Sequence, residues 1–183
     1  MLPGDADYGA FCAMVTAYRR MSVVMAAVDS GIIDAVAQAP CSPGRLLELT
    51  GIRLAEGGRF LRLLVDSGIL LQSDGLLHLS PFSAAYLALG GEKSQRGVLE
   101  FEKLLQERWQ GLGNILLHGQ GSGVEEQSPE EYRRRLELFQ KAMHEAALIR
   151  SRELWDVIGP LPGEGVIIDA GAGDGTYLRN FLD

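Results

Sequence analysis

The residues best suited to chemistry stand close together near the end of the sequence, where Asp169 is followed by Gly171, Gly173 and Gly175 at alternate positions. Glycines so spaced let backbone approach a ligand closely, and a helix opening directly after them offers unpaired N–H groups. Val166, Ile167 and Ile168, just upstream, form a β-branched run that predicts a buried parallel strand, and Thr176–Leu182 predicts the opening turns of a helix. Strand, glycine turn and helix start together predict the first half of a nucleotide-binding βαβ unit. The spacing is Gly-x-Gly-x-Gly rather than the Gly-x-Gly-x-x-Gly of a dinucleotide fingerprint. A generic glycine-rich βα turn is the competing reading.

Other candidate chemistry is sparse. His78 falls in a predicted hairpin, His118 ends a predicted helix beside Gly119, and His144 follows Met143 on a long predicted helix. A surface or structural role is the simpler reading for each, and His144 is the one to test as a base. The three are too dispersed for a histidine metal site, and Cys12 and Cys41 lack ligand spacing, so no metal is expected. No carboxylate pair suggests acid–base work and no Ser–His–Asp order can be drawn, so no catalytic residue is assigned.

Composition narrows the class. A net charge of −7 argues against a general nucleic-acid binder, which needs clustered Lys and Arg. Hydrophobic content of 46% with 22% charged residues is that of an ordinary soluble globular protein. No apolar run is expected to approach bilayer length, and the opening Met1–Asp7 lacks the basic region of a signal peptide. Two cysteines are too few for a disulfide framework, which points to a reducing cytoplasm. The 183 residues suffice for one domain, or one plus a fragment.

The elements that must position the glycine loop are mostly helical. Residues 8–28 predict a helix whose broad apolar surface needs another element or another subunit to cover it. Helices are expected at Ile32–Ala37, Leu46–Thr50 and Glu56–Ser67, with Pro40–Gly44 a loop and Gly51 a helix stop. Ile69–Leu71 and Leu76–Leu79, joined through Asp74-Gly75, predict a hairpin. Three short helices and a two-stranded hairpin describe a winged helix, often a DNA reader. Residues 1–90, however, carry six Arg and no Lys against eight acidic residues, a net of −2, the wrong sign for tracking phosphate.

Residues 92–118 predict a second helical region, weakened at Gly111 and Gly113, with Trp109 in its core, and Gly119–Gly123 a flexible loop. Ser128, Pro129 and Glu131 form a capping box that should open a helix running to about Val157. Gly159–Gly163 should end that helix and mark a boundary. The domains expected are therefore 1–90, 91–158 and 159–183.

Taken in order, Val28–Asp34, Leu46–Gly51, Arg59–Leu70, Leu77–Pro81, Phe139–Met143 and the Asp169–Gly175 loop resemble the front half of a hydroxyindole- or caffeate-type O-methyltransferase. The loop resembles motif I of the class I S-adenosylmethionine-dependent methyltransferases. The resemblance implies a mainly α chain: a winged-helix-like dimerisation region, a helical linker, then the first β-α step of a Rossmann-like domain. It implies S-adenosylmethionine as the cofactor of a complete enzyme, with Asp169, Gly171, Gly173 and Gly175 as its binding loop. Phe139 and Met143 would touch the acceptor or the sulfonium side, although both also suit plain helix-face core. It further implies a homodimer through the N-terminal helices, a small-molecule acceptor, and neither nucleic acid nor membrane as partner. Ala146 and Ala147 stand where relatives carry a polar residue. The second acidic residue, which holds the ribose beyond the next strand, and the catalytic histidine of plant-type enzymes would both fall after Asp183. This chain alone is therefore expected to be inactive. The alternatives are a non-catalytic adapter and, less well supported, a winged-helix regulator.

Overall fold

The computed structural model describes residues 7–119, 128–159 and 166–182. The chain divides into two units, Met1–Gly91 and Glu92–Asp183.

The first unit opens with α1 (Tyr8–Asp29), capped by Asp7, whose carboxylate accepts from the Gly9 N–H at 2.8 Å. Gly31, at φ 76°, turns the chain into α2 (Ile32–Gln38). Ser42 caps α3 (Pro43–Thr50) and Gly51 closes it in the left-handed conformation. Then come α4 (Leu54–Asp66), β1 (Leu70–Ser73) and β2 (Leu76–Leu79). The strands pair antiparallel, Leu70 with Leu79 and Ser73 with Leu76. Asp74 and Gly75 at φ 52° and 78° make the two-residue turn whose twist suits a hairpin. Part of the expected loop is ordered by this hairpin, for the Cys41 carbonyl accepts from Leu77 N–H at 2.8 Å.

Ile32, Ile33, Leu46, Leu64, Leu70 and Leu77 form the buried centre; each such side chain contributes about 1.5–3 kcal/mol. A π-helical turn at Ser83–Leu87 follows the hairpin. There the buried Ser83 hydroxyl donates to the Ile69 carbonyl at 2.7 Å.

Only the end of α1 joins that core, through Ala27. Tyr8, Phe11, Met14, Val15 and Tyr18 remain exposed. By length and composition α1 could cross a membrane, with a mean hydropathy of 1.3 over 18 residues, which corrects the expectation that no apolar run reaches that length. Arg19 and Arg20 sit mid-helix, where each costs about 2.5–3.5 kcal/mol at a bilayer centre.

The second unit is built on α7 (Pro129–Ile158), with α5 (Arg96–Gln110), α6 (Leu112–His118) and α8 (Thr176–Leu182). The capping box is present: Ser128 Oγ accepts from Glu131 N–H, and the Glu131 carboxylate accepts from Ser128 N–H at 2.9 Å. Gly111 splits the 92–118 region into α5 and α6. Trp109 is 68% exposed rather than core, whereas Phe101 of the same helix meets Phe139 of α7, the rings edge-on at 5.5 Å. The expected loop from 120 to 123 and most of the break at 160–163 lie outside the described residues.

Val166, Ile167 and Ile168 do not form the expected strand. Their backbone is irregular, and Val166 and Ile168 are 88% and 84% exposed. A parallel strand gains its hydrogen bonds from neighbours, and the described residues contain no third strand to pair with.

α5 has no side-chain cap of its own; α7 supplies one. Glu145 Oε2 accepts from the N–H groups of Gly97 at 2.6 Å and Val98 at 3.2 Å, and Gln95 Nε2 donates to the Glu145 carbonyl at 2.9 Å. A carboxylate at a helix start also meets the positive end of the dipole. We predict that Glu145→Ala lowers stability by about 1–2 kcal/mol in urea unfolding, and that Glu145→Gln loses less because it keeps one acceptor. Wild-type stability in the alanine variant would refute the cap.

Candidate functional site

Three contacts dock α8 on α7. Asn180 Nδ2 donates to the buried Ser151 hydroxyl at 2.6 Å, Trp155 Nε1 donates to the Tyr177 carbonyl at 3.0 Å, and the Trp155 and Phe181 rings lie 4.2 Å apart. Docking of so short a helix fixes the loop ahead of it. Gly171, Gly173 and Gly175 all take positive φ, at 87°, 59° and 75°, and a Cβ on any of them would meet open space. The glycines are thus required by backbone conformation, and the space beside them is free of protein.

Asp174 ties the loop to both helices. Its Oδ1 accepts from Thr176 N–H at 3.1 Å and from the Thr176 hydroxyl at 2.7 Å, while Oδ2 lies 2.5 Å from His144 Nδ1 on α7. Arg179 Nη2 donates to the Asp174 carbonyl at 3.0 Å. The Thr176 hydroxyl does most to hold the Asp174 carboxyl below its usual pKa. Partial desolvation opposes it, and the Thr176 N–H and His144 add to the lowering. His144 Nδ1 also lies 2.7 Å from the Thr176 hydroxyl oxygen, so the histidine, threonine and aspartate side chains form one cluster.

Loop, α8 and α7 enclose an open cleft of about 1160 Å³. Phe139 and Met143, both partly exposed, line it from α7, and Asp169, Gly171 and Gly173 line it from the loop. Gly175 does not line it. It stands at the head of α8, its carbonyl accepting from Arg179 N–H at 3.0 Å. His144 lines the cleft; His118 ends α6 away from it, and His78 sits on the hairpin of the other unit, 3.3 Å from Ser73 Oγ. Ala146 and Ala147 keep the wall apolar where a polar residue was expected. Asp174 and Thr176 are the site residues that sequence reasoning missed. An Asp two positions ahead of a Thr at a helix start is an Asx-turn signal and could have revealed them.

No family model matches the chain, and no curated protein matches it. Solved structures do. An O-methyltransferase family protein from Burkholderia thailandensis superposes with a TM-score of 0.75 at 20% identity, over 98% of this chain and 54% of that one. CalO1, a methyltransferase in calicheamicin biosynthesis in its SAH-bound form, gives 0.71 at 21% identity, over 97% and 56%. Human N-acetylserotonin methyltransferase in complex with SAM gives 0.67 at 20% identity, over 81% and 48%.

The fold is that of the N-terminal half of the O-methyltransferases.

The chain accordingly spans about half the length of the structures it matches. In this methyltransferase fold the Asp174 contact has a pH signature. A carboxyl whose folded pKa is depressed gives stability that is present above its unfolded pKa, near 3.8, and is lost as pH falls through the folded value. We predict that Asp174→Asn lowers the Tm at pH 6 and that the gap to wild type narrows towards pH 3. A gap independent of pH would show that the carboxylate's charge contributes nothing.

Proposed function

We propose that this chain is the N-terminal portion of an S-adenosylmethionine-dependent methyltransferase that methylates a small-molecule oxygen nucleophile. The observation that carries the reading is the cleft, in which Asp169, Gly171 and Gly173 face Phe139 and Met143 across free space. Its volume exceeds the several hundred Å³ a cofactor-sized ligand requires. The glycines leave backbone N–H groups approachable, and the exposed Asp169 carboxylate suits an ammonium such as that of a methionine moiety. These residues fit the cofactor.

When bound, that cofactor supplies an electrophilic methyl group on a sulfonium. This chain's part is to hold and orient. The loop positions the polar end, while Phe139, Met143 and Ala147 give an apolar wall against which an acceptor can be aligned and water excluded. In this reading residues 1–90 form a winged-helix-like dimerisation region, 91–158 a linker and cover, and 159–183 the start of the Rossmann-like domain. The exposed apolar side of α1 suits a second subunit, and Arg19 and Arg20 weigh against a bilayer.

Titrating the purified chain with S-adenosylhomocysteine in a calorimeter tests the assignment. Saturable binding is expected, weakened about tenfold or more in Asp169→Ala and lost in Gly173→Val, where a branched residue cannot hold φ 59°. Absence of heat at millimolar ligand would favour a second reading, a non-catalytic adapter, for which the uncovered face of α1 is the supporting observation.

A further inference from the structure

A smaller pocket of about 230 Å³ lies between α5 and α7. Phe101, Leu104, Tyr132 and Phe139 supply flat apolar walls, and Arg108 and Arg135 supply the charge. Among the described residues no carboxylate lines it. Arg135 Nη1 is buried and has no hydrogen-bond partner. The guanidinium lies 5.7 Å from the centre of the Tyr132 ring, a contact that gives Nη1 no hydrogen-bond acceptor. The acid one turn earlier, Glu131, is committed to the Ser128 cap. A desolvated guanidinium donor left unpaired is a disfavoured arrangement that a planar oxyanion relieves, since its two oxygens match the guanidinium fork.

From these features we infer that the pocket binds a small aromatic carboxylate, with the carboxylate on Arg135 and Arg108 and the ring between Phe101, Tyr132 and Phe139. The volume corresponds to about eight waters, room for one substituted ring but little more. Phe139 and Leu136 line both this pocket and the large cleft. A ring seated here is therefore one side chain from the cleft. That the carboxylate belongs to the methyl acceptor itself rests on the function proposed above; the anion site does not.

The test is calorimetric titration of the chain with benzoate, benzamide and inorganic phosphate. We expect saturable benzoate binding, none with benzamide, and phosphate binding weaker than benzoate. Arg135→Leu should raise the benzoate Kd about tenfold or more, and Arg135→Lys less, because it keeps the charge without the fork. Equal binding of benzoate and benzamide to wild type overturns the inference with no variant needed. So does a benzoate affinity unchanged in Arg135→Leu, and phosphate binding as tight as benzoate overturns the aromatic part. Titrating the same wild-type sample with S-adenosylhomocysteine separates the two readings. Benzoate binding without S-adenosylhomocysteine binding keeps the anion site and removes the methyl-acceptor interpretation.

Discussion

Two consecutive residues on α7 hold the second unit together, and they do so because a helix turns by about 100° per residue. Glu145 points its carboxylate at the open start of α5, and His144 meets the Asp174 carboxylate of the glycine loop. One carboxylate satisfies backbone donors, the other orients a ring nitrogen. Both depend on α7 running unbroken from its Ser128 capping box to Ile158. Gly97 shows how close the first contact is, since an added Cβ would lie 2.7 Å from Lys141 Cγ and 2.9 Å from Glu145 Oε1. A kink in α7 between its cap and residue 145 would change where both neighbours sit.

How much of this was readable beforehand depended on whether the cause was local. The cap at Ser128, the stop at Gly51 and the Asp74-Gly75 turn are each set by a few adjacent residues, and each stands where its residue types placed it; the Ser42 cap of α3 instead falls inside the stretch expected as a loop. Phe139 and Met143 line the cleft, but helix periodicity suited plain helix-face core equally well, and only the resemblance pointed to a ligand. Trp109 is exposed although its residue type suits a core, because burial depends on which part of α5 meets a neighbouring helix, and Phe101 rather than Trp109 has an aromatic partner on α7. The Glu145 cap joins residues 48 apart and the His144–Asp174 pair residues 30 apart. No periodicity or spacing rule reaches across such separations.

The glycine loop separates two requirements that are usually met together. Its turn conformation is present, with three left-handed glycines and α8 following, while the strand expected to lead into it is not. A turn needs only permissive residues and an anchor at one end. A parallel strand needs hydrogen-bonding neighbours on its edges, and Val166–Ile168 have none among the described residues. Ser151, Trp155 and His144 provide the anchor from α7, so the loop is held from its helical side.

That arrangement bears on what the cleft can do. A site whose loop was held only by a sheet would derive its geometry from strands, whereas here the cleft's wall and the loop's anchor belong to the same helix. His144 contacts the loop while Phe139 and Met143, five residues and one residue earlier in the helix, line the space the loop faces. A ligand pressing on either side therefore works against contacts made by α7. The loop's grip and the wall's shape are coupled through one rigid element, and changes to α7 would affect both together rather than either alone.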